Sequence, residues 1–123
     1  MSATERIRII GVGNPLMGDD GLGIKAIELL RQEQLPASVE LIDGGCGGLK
    51  LLPYLSGCAQ LLIIDAADFQ ALPGTLKKLS TTELETFFYT TPPLSGHQLS
   101  LPELFLVAQK MQKLSPITLF LMK

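Results

Sequence analysis

The polar and apolar positions of this chain fall into short alternating blocks. IRIIGVG at 7–13 is a compact, β-branched apolar run closing on glycine, the pattern of a strand buried on both faces. Downstream of a glycine-rich loop, Leu22, Ile24, Ala26, Ile27, Leu29 and Leu30 form one apolar stripe at helical spacing, which predicts a helix reaching about Gln34 before Pro36. VELID at 39–43 reads as a second strand. GGCGG is a second glycine turn, and GLKLLPYLSG predicts a short helix that Pro53 kinks or limits.

QLLIIDAAD at 60–68 is the most apolar run of the chain and predicts the central strand. GTLKKLS at 74–80 reads as another strand. Too few residues separate it from Asp68 for a parallel crossover, so it is expected to run antiparallel, with Lys77 and Lys78 guarding an edge. Thr82 and Glu85 have capping-box spacing ahead of a short helical turn in TELETFF. TPPLSGHQ has the composition of a loop. Ser100 and Glu103 repeat the box before a helix predicted to end near Leu114, and PITLFLM reads as the last strand. The whole predicts a three-layer α/β/α sandwich around a mostly parallel five-stranded sheet with one antiparallel strand. A single domain over residues 1–123 is expected.

Composition narrows the class. The chain is 46% hydrophobic, with ten basic and twelve acidic residues for a net charge of −2, and no Lys/Arg cluster stands out. Nucleic acid is therefore not an expected partner, nor is an anionic membrane surface. No run of eighteen or more apolar residues occurs, so no membrane insertion is expected and the reading is a cytoplasmic protein. Cys46 and Cys58 have neither CxxC spacing nor disulfide-framework density and read as reduced thiols.

An open sheet of this kind binds ligands outside the carboxyl ends of its strands. Asp19 and Asp20 follow the first strand, Asp43 ends the second, Asp65 and Asp68 end the third, and the only histidine, His97, lies in the loop before the last helix. GVGNPLMGDDGLG fails both phosphate motifs, since it lacks the third glycine of GxGxxG and has no GK followed by Ser or Thr. Its acids would also repel an anion at the helix N-terminus. The loop is read as presenting a carboxylate. One of Asp19 and Asp20 is expected to cap the helix, leaving the other to face the crevice. Asp43, followed by two glycines, suits a turn that bonds its own amides, and a general-base role stays open beside that reading. Asp65 follows four apolar residues, Leu61 to Ile64, where burial without a partner is costly. Asp20, Asp65 and His97 together make a donor set for a divalent metal. Cys46 is read as a small apolar residue of its turn.

Four motifs in order, GVGNPLMGDDGLG, IDGGCGGLKLLPYL, LLIIDAADFQALPGTL and SGHQLSLPELF, resemble the nickel-iron hydrogenase maturation endopeptidases along nearly the whole chain. The resemblance implies a metal-dependent endopeptidase that removes the C-terminal extension of a hydrogenase large-subunit precursor after nickel insertion. Asp20, Asp65 and His97 would engage nickel carried by that precursor, with other divalent metals as expected substitutes. The sequence departs from the family pattern in having Asp20 in place of a common glutamate, Cys46 where threonine is usual, and Gly96 in place of a proline. A domain without the family's usual C-terminal helix is the expectation for residues 1–123. Two alternatives stay open: a binder that grips the nickel-loaded precursor without cutting it, and a nucleotide-binding domain with Asp43 on a ribose.

Overall fold

The computed structural model of the chain describes residues 5–13, 21–45, 47–66, 74, 76–90 and 101–122. Strand β1 (Ile7–Gly11) leads to helix α1 (Leu22–Leu30), β2 (Val39–Asp43), a 3-10 helix (Leu49–Leu55) and β3 (Gln60–Ala66). Then come β4 (Leu76–Ser80), α2 (Thr81–Thr90), α3 (Leu101–Met111) and β5 (Ile117–Met122). The strands form one sheet in the order β2-β1-β3-β5-β4, parallel throughout except for β4, which runs antiparallel to β5. The expected sheet, its strand count and its one reversed edge strand are therefore present. The short connection sets the direction of β4, but its neighbour is β5, which enters between β3 and β4.

Alternation along the strands sorts side chains to two faces. Ile42, Ile10, Ile63, Leu119 and Leu79 lie in one register row across all five strands. On that face they pack with Leu51 and Leu55 of the 3-10 helix, Leu84 of α2, and Leu104, Phe105 and Ala108 of α3. The opposite face carries α1, whose buried Ile24 and Ile27 lie over β1, β2 and β3. Helices on both faces give the three layers that the sequence predicts.

Several boundaries differ from expectation. The last turn of α1 tightens, with Gln32 and Glu33 N–H donating to the carbonyls of Leu29 and Leu30, so the helix stops at Leu30 rather than near Gln34. Helix α3 stops at Met111, and Ser115 N–H turns to the Leu55 carbonyl. TELETFF belongs to a ten-residue helix, not a short turn. Its capping box is set two residues earlier than read: the Glu83 carboxylate accepts from Ser80 N–H at 3.4 Å and Ser80 Oγ at 2.9 Å. Pro53 sits inside the short helix, which is a 3-10 helix and stops at Leu55. The β1 ladder ends at Gly11 and that of β3 at Ala66. Residues 67–68 and the Ser100 side of the second capping box lie outside the described residues.

At the amino edge of the sheet, Arg8 fixes the end of the 3-10 helix. Its Nη1 donates to the carbonyls of Tyr54 at 2.8 Å and Ser56 at 3.0 Å, its Nε to Glu40 at 3.3 Å, and the guanidinium lies 5.7 Å from the Tyr54 ring centroid. The side chain is only 11% exposed, so solvent offers little replacement for these bonds. Arg8→Met, which keeps the apolar stem, is expected to cost about 2 kcal/mol, read as a lower urea midpoint at unchanged slope. Nearby, Cys58 is free and buried, with Sγ 3.3 Å from Ser115 Oγ, in keeping with a reduced thiol.

Candidate active site

The carboxyl edge is built around the exit of β1. Val12 N–H donates to the Ile64 carbonyl at 2.9 Å, Gly13 N–H to Gly45 at 2.8 Å, and Gly44 N–H to Gly11 at 2.7 Å. Three strand ends are thus tied together at one level. Helix α1 returns against the same place. A Cβ added at Gly23 would lie 2.2 Å from the Val12 carbonyl oxygen and 2.4 Å from that of Ile64, and one at Gly11 would lie 2.1 Å from the Gly23 carbonyl oxygen. Only glycine permits this approach. The sequence reading found the close-packing glycine of a dinucleotide loop missing. Gly23, further along in the first turn of α1, makes the close helix–sheet contact instead. A glycine inside the otherwise apolar helix start LGIKAIELL was the available signal.

Because β2 and β3 lie on opposite sides of β1, and because α1 and the 3-10 helix cover opposite faces, the order of connection reverses between β1 and β3. That is the switch point where ligands enter open α/β sheets. Asp65 stands there. It pairs in register with Leu121 of β5, and alternation places it on the face of Leu61 and Ile63. It is partly buried, and its Oδ1 accepts from Ala66 N–H at 2.8 Å.

Asp43 has a different setting. It is exposed, and its Oδ1 accepts from Gly45 N–H at 2.8 Å, the self-bonding turn that two following glycines suggested. Its register partner is Gly11, across which lies Ile64, so Asp43 and Asp65 sit two strand spacings apart, about 10 Å, with side chains on opposite faces. The two acids are not brought together.

Asp19, Asp20, Cys46, Asp68 and His97 lie outside the described residues. The anchors of their segments are described. Residues 14–20 are bounded by Gly13, bonded to Gly45, and by the start of α1, packed on the Val12 and Ile64 carbonyls, both at this crevice. Helix α2 begins at the amino edge, where Thr81 Oγ1 exchanges hydrogen bonds with the backbone of Ile117. Helix α3 ends at that same edge, where Gln112 bonds the Leu52 carbonyl and Ser56 Oγ. The segment carrying His97 joins the other ends of these two helices, Thr90 and Leu101. Among the described residues no group of three metal-ligating side chains occurs.

A doubly wound α/β sheet with a partly buried acid at its switch point defines a class in which ligands bind outside the carboxyl edge. Within that class, the profile of the hydrogenase maturation protease family (HycI) matches residues 24–123, and the chain belongs to this family. Asp65 and His97 lie inside the matched stretch and Asp20 just before it. The hydrogenase expression/formation protein HupD of Rhodobacter capsulatus is 37% identical over 108 residues, covering 87% of this chain and 51% of that protein. The hydrogenase 2 maturation protease of Escherichia coli K12 is 38% identical over 100 residues, covering 80% and 60%. The chain spans about half the length of the curated relatives it matches. The hydrogenase maturating endopeptidase HybD from E. coli superimposes with a TM-score of 0.80 at 33% identity, covering 95% of this chain and 73% of that structure. The HycI protease of Thermococcus kodakarensis KOD1, at 21% identity and TM-score 0.74, shares the fold. No described helix is long and apolar enough to cross a membrane.

Proposed function

We propose that this chain carries the active-site fold of an endopeptidase that removes the C-terminal extension of a nickel-iron hydrogenase large-subunit precursor once nickel is in place. Family membership supports the reaction class, and Asp65, the partly buried acid at the switch point of the sheet, is the observation that carries the site. In this reading Asp20, Asp65 and His97 engage the nickel that the precursor brings. Two carboxylates and one imidazole are a donor set suited to a first-row divalent ion, and they leave positions open for the precursor's own groups. Such an ion supplies Lewis-acid polarisation of the scissile carbonyl. Asp65 has a fixed orientation for this task, since Ala66 N–H holds one of its oxygens. Asp43 is the weaker candidate for a base, because one of its oxygens serves the Gly45 turn.

The reading is tested by incubating the chain with nickel-loaded and nickel-free precursor and weighing the products by mass spectrometry. Shortening of the loaded form alone is expected. Equal cutting of both forms would remove nickel from the mechanism. A stable complex with precursor that stays uncut would mark a binder instead.

A further inference from the structure

Strand β2 is an edge of the sheet, and it ends at the candidate site. The direction of its backbone groups follows from two hydrogen bonds. Ile7 N–H donates to Ser38 and Gly44 N–H donates to Gly11, which in a parallel ladder assigns Ser38, Glu40, Ile42 and Gly44 to β1. The alternate residues, Val39, Leu41 and Asp43, turn their backbone groups outward. Val39 N–H is taken by the Pro36 carbonyl. The N–H and C=O of Leu41 and Asp43 and the C=O of Val39 then form an open half-ladder with no partner among the described residues.

The two edges of the sheet are treated differently. Strand β4 carries exposed Lys77 and Lys78, a charge pair that discourages strand addition. Strand β2 has no lysine and no proline. The charge of Glu40 is drawn onto the sheet face by Arg6 at 3.5 Å and Arg8 at 3.3 Å. From this contrast, and from the continuity of the half-ladder with the crevice through Asp43, Gly44 and Gly11, we infer that β2 binds the precursor's C-terminal extension as an added, extended strand and feeds it to the site. This rests on the peptidase reading above.

Main-chain bonding of this kind gives affinity for an extended peptide whatever its side chains. An edge ladder of five residues is short, which suits a substrate that must leave rather than a second copy of the chain.

The test is amide hydrogen exchange on the isotope-labelled 123-residue chain, with and without a saturating synthetic peptide spanning the cleavage junction. Exchange at Leu41 and Asp43 is expected to slow at least about tenfold, while Glu40 and Ile42, already bonded to β1, change little. The variant Leu41→Pro removes one outward donor and leaves the β1 ladder intact, since proline is accepted on an edge strand where its N–H would face solvent. It is expected to raise KM for the nickel-loaded precursor about tenfold with kcat little changed. Should Leu41→Pro not fold, exchange on the unmodified chain decides alone. Unprotected Leu41 and Asp43 amides would overturn the inference, and if the precursor were still cleaved the peptidase reading would stand. Protection without cleavage of the precursor would have the reverse meaning. Slowing that follows chain concentration without peptide would assign the edge to self-association and also overturn it.

Discussion

Replacing Asp65 with asparagine is expected to lower kcat/KM for processing of the nickel-loaded precursor by about a thousandfold, equivalent to roughly 4 kcal/mol of transition-state stabilisation, with stability changed by less than about 1 kcal/mol. Asparagine has nearly the same size, and its amide oxygen can still accept from Ala66 N–H, so the end of β3 keeps its local bond. What disappears is the negative charge at the switch point. A neutral amide is a poor ligand for a divalent ion and cannot take up a proton. Mass spectrometry of the precursor reads activity, and thermal unfolding reads stability. Processing within tenfold of the unmodified chain would remove Asp65 from the chemistry.

The second large effect is structural. Gly23→Ala is expected to destabilise the fold by about 3 kcal/mol or more, enough to leave much of the chain unfolded at 37 °C. The new methyl would meet carbonyl oxygens of Val12 and Ile64 at 2.2 and 2.4 Å. Both are backbone atoms of paired strands, and Ile64 already receives Val12 N–H, so no rotamer change relieves the clash. Gly57→Ala is the comparison. Nothing lies within 4 Å of its added Cβ, and the φ of +81° alone gives an expected cost of about 1–2 kcal/mol. Urea unfolding of the two variants separates them. A Gly23 variant as stable as the Gly57 one would mean that α1 can lift away from the crevice.

These two residues also mark what could be read from the sequence. The placement of Asp65, partly buried near the end of the central strand, was legible because the acid follows four apolar residues, Leu61 to Ile64. Asp43 was legible as a turn residue from the glycines beside it, and the bond to Gly45 N–H bears that reading out. Gly23 was not legible as a packing residue, because the pattern sought for it belongs to a shorter loop. The reversed direction of β4 followed from chain length alone, whereas its neighbour did not: pairing with β5 is a contact between segments far apart along the chain. Helix α2 was read too short because TELETFFYT has modest helix propensity. Leu84 buried against the sheet and the Ser80–Glu83 box supply what propensity lacks. Asp20 belongs to a segment anchored at both ends on the carboxyl edge, and the roles of Asp20 and His97 stand as proposals.

The position of β5 has a consequence for biosynthesis. As the chain leaves the ribosome, β4 emerges with no ladder to join, for its sole strand neighbour is made roughly forty residues later. The sheet can therefore close only late, by threading the newest strand between two older ones, a long-range step of the slow kind. Exposed Lys77 and Lys78 give the waiting segment charge of the kind that discourages pairing between strand edges.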